Sequence, residues 1–255
     1  MNESERLDLA KQRGIWELLG DAFGLYLRNL PTVFAVGLAV VLPVQLIVSG
    51  IGLEELTSGY RETDDTAELL IPMIVSYLVV APLIAAAAIH MLQRLADGER
   101  PRPGPSIQAG LDVFAPVFLA VLLAGAGIAL GLLLLIIPGI YVAVRWYFVA
   151  QSVVIDGARS TEALRGSWRL TNGYWFRTLG VILLANIAAF LPASIVLLPL
   201  QALAESADRQ SIALAGMILT EALTAPFVAL VSTLLFFDIR ARRSATPADQ
   251  TSLPI

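Results

Sequence analysis

Long uncharged stretches alternate with short polar segments along almost the whole chain. A helix crossing a bilayer needs about 20 consecutive apolar residues. Stretches of that kind predict spans at roughly 31–53, 69–93, 116–137, 140–156, 177–200 and 212–237. The fourth boundary comes from length. Read as one helix, the block 113–155 would reach about 65 Å at ~1.5 Å per residue, twice a hydrocarbon core. Pro138-Gly139 supplies the turn that divides it, because proline removes a donor and glycine tolerates positive φ.

Helical periodicity marks three segments outside the spans. In 14–29 it gathers Ile15, Leu18, Leu19, Ala22, Phe23 and Tyr26 on one stripe. Residues 106–115 form a second short surface helix. In 160–173, Leu164 and Trp168 share one face and Arg165 and Arg169 another, with Ser160 as the expected N-cap. Each surface helix precedes a pair of spans, with Pro43, Pro138 and Pro192 late in the first of each pair. The predicted fold is therefore all-α and polytopic: six transmembrane helices in three hairpins, with short amphipathic interfacial helices. A single membrane domain, 14–240, lies between a flexible N-terminus, 1–13, and a disordered tail, 241–255.

Charge turns this pattern into a topology. Of the seventeen Lys and Arg residues, all but Arg61, Arg209 and Arg145 fall in segments that share one side when the spans alternate. That asymmetry predicts a multi-pass protein of the plasma (cytoplasmic) membrane, with both termini inside. Composition agrees: 57% hydrophobic and 15% charged residues, against about 45–50% and 25% in soluble domains. A net charge of −4 argues against nucleic-acid binding. Part of the acidic excess is one loop carrying Glu54, Glu55, Glu62, Asp64, Asp65 and Glu68.

Little in the chain points to chemistry. It has no Cys and one His, His90, with no carboxylate cluster beside it, so no metal site or cofactor is expected. Gly125, Gly127 and Gly131 lie inside an apolar span with no strand before them, which excludes a dinucleotide loop. Gly127 and Gly131 instead form a small-xxx-small pair suited to close helix packing, within the chain or between copies. Glu221 and Arg145 are the polar residues least at home in their spans. Counted from the outer side, their depths differ by only ~8 Å. Two readings fit: a shared intramembrane polar site, with Thr220, Thr224 or Gln151 nearby, or an Arg145 that snorkels beside Trp146 and Tyr147 while Glu221 bonds a neighbouring helix. Arg165, Trp168, Arg169 and Trp175 suit anionic lipid headgroups.

The segments PGIYVAVRWYF (138–148), STEALRGSWRLTNGYWFRTLG (160–180) and ELLGDAFGLYLRNLPTVF (17–34) resemble the membrane-domain family of glycerophosphoryl diester phosphodiesterases and related six-helix bacterial membrane proteins. The pattern rests on Pro138, Gly139, Arg145 and Trp168. In that family the phosphodiesterase activity belongs to a separate soluble domain, so the resemblance implies a helical membrane module and assigns no catalytic residue. The expected role is non-enzymatic: an accessory or scaffolding module that contacts lipids, with a second copy or a membrane protein as candidate partner. The alternative is a small-solute or lipid-handling transporter using Arg145 and Glu221.

Overall fold

The computed structural model describes residues 7–48 and 66–245. The acidic loop before Thr66, the end of the first span, the first six residues and the tail beyond Ala245 lie outside the described residues. Among those described, every regular element is helical. Six helices are long and apolar enough to cross a membrane: Leu30–Val48, Leu70–Ala96, Phe114–Leu134, Ile136–Asp156, Trp175–Ser206 and Gln210–Ala245. The protein is a multi-pass membrane protein by length and composition of its helices.

Helix α1 (Ile15–Arg28) opens with Glu17 accepting the Gly14 N–H at 3.2 Å. It buries Leu18, Ala22, Leu25 and Tyr26 and leaves Trp16, Phe23 and Leu27 exposed. Apolar side chains on both faces suit a helix that packs on the bundle and meets lipid. Helix α2 (Leu30–Val48) follows directly. Helix α3 (Thr66–Val75) passes through a π-helical turn, Ser76–Val80, into α4 (Ala81–Ala96). That wide turn stands just before Pro82, whose ring and missing N–H disturb the preceding hydrogen bonds.

Helix α5 (Pro103–Asp112) crosses α4 so closely that a Cβ on Gly110 would sit 3.1 Å from the Leu83 carbonyl oxygen. Helix α6 (Phe114–Leu134) ends at Leu135, which is extended (φ −162°, ψ 145°), and α7 (Ile136–Arg145) returns along it. The turn thus falls three residues before Pro138-Gly139. Pro138 sits in the first turn of α7, where its missing N–H has no intrahelical acceptor to lose. Gly139 is helical, and its role is contact: a Cβ there would collide with the Leu132 side chain and lie 2.7 Å from the Leu132 nitrogen. Gly131 faces the Gly139 Cα, and Gly127 faces the Trp146 ring. The small-residue pair therefore packs within the chain, against α7 and the residue that follows it.

The chain breaks again at Trp146–Phe148 before α8 (Val149–Asp156). Helix α9 (Ser160–Thr171) doubles back over α8, and Arg159, not Ser160, is its N-cap; Glu162 accepts the Arg159 N–H at 3.3 Å. Helix α10 (Trp175–Ser206) and α11 (Gln210–Ala245) complete the fold. Residues 241–245, expected in the tail, are helical.

Helix α11 is the centre of the bundle. In its apolar window 72% of residues are buried, against 17–50% in the other five. Leu230, Leu234 and Leu235 of α11 share one core with Leu18 of α1, Val36 and Val40 of α2, Ile84 and Ala88 of α4, and Val181 and Ala185 of α10. A smaller core joins Val117, Ala120 and Ala124 of α6 to Val149 and Val153 of α8 and Ala163 of α9.

Candidate functional site

Helix α9 presents two different faces. Ala163, Ser167 and Thr171, four residues apart, are buried; Ala163 packs in the smaller core, and the two hydroxyls take up backbone groups released by the break at Trp146–Phe148. Ser167 Oγ accepts the Phe148 N–H at 3.1 Å and donates to the Arg145 carbonyl at 2.8 Å; Thr171 Oγ1 lies 3.3 Å from the same carbonyl. A polar backbone exposed by a helix break needs such partners when it is buried. The opposite face carries Arg165 and Arg169, both exposed and, among the described residues, without an ion-pair partner. Half-exposed Trp168 lies on the adjoining side of the helix.

Arg145 is only 8% exposed, and its partners are neutral. The guanidinium donates to the Tyr141 hydroxyl at 3.0 and 2.7 Å, to Asn172 Oδ1 at 3.4 and 3.3 Å, and to the Trp168 carbonyl at 3.5 Å. Its Cζ lies 5.0 Å from the ring centroids of both Tyr141 and Trp168. Ring faces and carbonyl dipoles compensate the buried cation where no carboxylate does. Trp175 stacks on Tyr141 with centroids 5.9 Å apart and donates its indole N–H to the Tyr141 carbonyl at 3.3 Å. Trp146 completes the aromatic cluster, 6.3 Å from Trp168. Beside it, a cleft of about 720 Å³ separates α8, α9 and α11, bordered by Arg165, Trp168, Arg169 and the Arg240–Asp156 ion pair at 2.8 Å.

Glu221 belongs elsewhere. It accepts a 2.5 Å hydrogen bond from Gln45 Nε2, where α2 crosses α11. Arg145 bonds Asn172, whose carbonyl accepts the Arg243 guanidinium at 2.5 Å. Arg243 stands twenty-two residues beyond Glu221, about 33 Å along a helix. The expected shared site is therefore not formed. Nor do the other residues named for it assemble: Gln151 Nε2 bonds Ser232 Oγ at 3.0 Å, and Thr224 Oγ1 bonds the Thr220 carbonyl of its own helix at 2.9 Å. Arg145→Gln and Glu221→Gln should accordingly be additive in unfolding free energy to within about 0.5 kcal/mol. A double-mutant cycle giving more than about 1 kcal/mol of coupling would overturn that separation.

A charged cluster that the pattern of the chain did not announce lies at the other end of α11. Asp238 is fully buried, and its Oδ1 accepts the Arg13 backbone N–H at 2.7 Å. Its Oδ2 accepts Arg177 Nε and Nη2 at 3.0 and 2.8 Å, and Arg242 Nε approaches at 3.1 Å. The Arg13 carbonyl receives the same two arginines, each at 2.6 Å. Arg13 itself is 1% exposed, its guanidinium held by Asp21, Lys11 and Asp8. The end of the segment expected to be flexible is thus anchored. A carboxylate directly after Phe236 and Phe237, at the end of an apolar run, is the available signal. Outside the spans, Lys11 and Glu17 meet at 2.5 Å, which lowers the Glu17 pKa and raises that of Lys11.

Among the described residues no group of three or more His, Asp and Glu side chains is placed to hold a metal ion. The arrangement offers cationic and aromatic contact, which suits binding of anions at an interface. No curated protein matches the chain, and no solved structure matches it. Residues 104–239, from the first turn of α5 almost to the end of α11, match a family described as a domain of unknown function (DUF7847). That match spans more than half of the 255 residues, and the chain belongs to this family.

Proposed function

We propose that the protein is a non-enzymatic accessory or scaffolding module of the plasma membrane that binds anionic lipid headgroups through the outer face of α9. In this reading both termini are cytoplasmic and the six spans form three hairpins, as the arginine asymmetry requires. One observation carries the lipid contact: among the described residues Arg165 and Arg169 stand exposed without an ion-pair partner, next to Trp168, on a helix whose other face is fastened to α7 and α8. Exposed cations beside a half-exposed indole match the chemistry of an anionic membrane surface, at about 1 kcal/mol per arginine. The transporter alternative loses its main support, because Arg145 and Glu221 have separate partners.

Native mass spectrometry of protein released from mixed phosphatidylcholine and phosphatidylglycerol nanodiscs tests the contact. The wild type should retain phosphatidylglycerol preferentially, and R165Q/R169Q should lower that preference by about tenfold or more. Equal retention by both proteins would sink the headgroup role. Orientation is tested separately in this Cys-free chain. Single Cys residues at Thr161 and Ala245 should be protected from an impermeant thiol reagent in intact cells, while Asp208→Cys should label.

A further inference from the structure

We infer that the turn between α4 and α5 holds a second, discrete anion site, built for a phosphate group and independent of the α9 face. The chain builds it locally. Helix α4 ends on Asp97, and Gly98 takes a left-handed conformation (φ 78°). Gly98 N–H bonds the Leu95 carbonyl at 3.2 Å and Glu99 N–H the Arg94 carbonyl at 2.8 Å, the double closure that glycine permits after a helix. This reversal carries Arg100 and Arg102 back beside His90 and Arg94. The result is a cavity of about 370 Å³ lined by His90, Arg94, Glu99, Arg100, Arg102 and Pro105.

Its charge is one-sided. Glu99 is the one carboxylate in that lining, and it is paired with Arg94. Arg100 and Arg102 have no ion-pair partner among the described residues. The first turn of α5 begins at the same place; Pro103 and Pro105 carry no N–H and the Ser106 N–H bonds the Arg102 carbonyl, so this turn adds the open N–H of Gly104 and the weak positive end of a short helix. His90 is oriented from behind. Ser106, fully buried, donates its one hydroxyl proton to the Arg102 carbonyl at 2.9 Å. The 3.3 Å contact between His90 Nδ1 and Ser106 Oγ therefore has Nδ1 as donor, which leaves Nε2 of the neutral ring as an acceptor for the hydroxyl of a singly protonated phosphate. Guanidinium forks match the tetrahedral oxygens of a phosphate, and two unpaired forks suit a phosphate better than a single carboxylate.

Phosphate could come from a soluble ester or from a lipid headgroup, and two arms separate these sources. In one, inorganic phosphate and glycerol 3-phosphate are titrated calorimetrically into the full chain in phosphatidylcholine nanodiscs. In the other, native mass spectrometry counts phosphatidic acid retained from nanodiscs that contain it. One-to-one saturable binding is expected in at least one arm. R100Q/R102Q should weaken it by about tenfold or more, and His90→Gln should weaken it less. R165Q/R169Q should leave it unchanged. Both arginines of the first pair are exposed, so the fold should survive, and circular dichroism checks this. Binding in the titration identifies a soluble phosphate; binding confined to the second arm identifies a headgroup. The site is refuted if neither arm saturates at one ligand per chain, or if R165Q/R169Q weakens binding as much as R100Q/R102Q.

Discussion

Replacing Asp238 with Ala should destabilise the protein by about 3–5 kcal/mol, the loss expected when one partner of a buried charge network is removed. The carboxylate is fully buried, and the two guanidiniums it neutralises are 18% and 27% exposed. Water would rehydrate those arginines only in part, and the Arg13 N–H would lose its acceptor altogether. Asp238→Asn keeps the shape and one acceptor but no charge, and should cost about half as much. Because Arg13 meets Asp238 through its backbone, Arg13→Ala leaves the Asp238 contacts in place; it has its own cost, from the lost Asp21, Lys11 and Asp8 contacts, but should couple to Asp238→Asn by less than about 0.5 kcal/mol. Reversible unfolding in mixed detergent and SDS micelles gives the free energies, and a cycle of Asp238→Asn with Arg177→Gln isolates their coupling. Coupling above about 1 kcal/mol is expected; below about 0.5 kcal/mol, the cluster is only a surface contact. A second readout follows from the geometry. The cluster ties residue 13 to the ends of α10 and α11, so its loss should expose the N-terminal segment to proteolysis.

The spans and the surface helices could be read from the chain because each depends on local properties: length, apolarity and period. α1 and α9 fall on the segments where the period of 3.6 predicts helices, although Arg159 displaces Ser160 as a cap; α5 starts three residues before the predicted 106–115 and ends at Asp112, with Phe114 and Ala115 already in α6. Features set by which helix meets which could not be read this way. The depth assigned to Arg145 assumed one straight helix from Gly139 onward. The break at Trp146–Phe148 and the return of α9 bring it instead to Asn172 and Trp168. Its partners are neutral, so no complementary charge in the sequence pointed to them. Glu221 reads as a costly acid in a span, and its partner, Gln45, is a lone amide in α2 with no spacing that ties the two together. Asp238 adjoins Arg240, Arg242 and Arg243 and so reads as the edge of a polar tail. The small-residue spacing of Gly127 and Gly131 signalled a close approach, but only the fold identifies Trp146 and Gly139 as the surfaces approached.

Gly37 makes the sharpest test of that packing. It lies where α2 crosses α11, and a Cβ there would land on the Ala222 carbonyl oxygen, with the carbonyl carbon 3.0 Å away and Cα 3.1 Å away. These are backbone atoms of the central helix, so no side-chain rotation relieves the overlap and the two helices must separate. Overpacking of a tight core costs about 1–3 kcal/mol, and Gly37→Ala should fall at the upper end. The separation should also stretch the Gln45–Glu221 hydrogen bond, two turns along α2, and the 3.0 Å bond from the Tyr26 hydroxyl to the Leu223 carbonyl. Gly37→Ala and Glu221→Gln should therefore be strongly non-additive, since the first already disrupts what the second removes. Gly24 supplies the control. A Cβ there meets nothing within 4 Å, so Gly24→Ala in α1 should stabilise by about 0.5–1 kcal/mol through the lower backbone entropy of alanine. Opposite signs for one substitution type at two helical glycines would separate backbone contact from intrinsic helix preference. Should Gly37→Ala unfold within about 0.5 kcal/mol of the wild type, α2 and α11 do not cross in contact, and the burial of Gln45 against Glu221 loses its geometric basis.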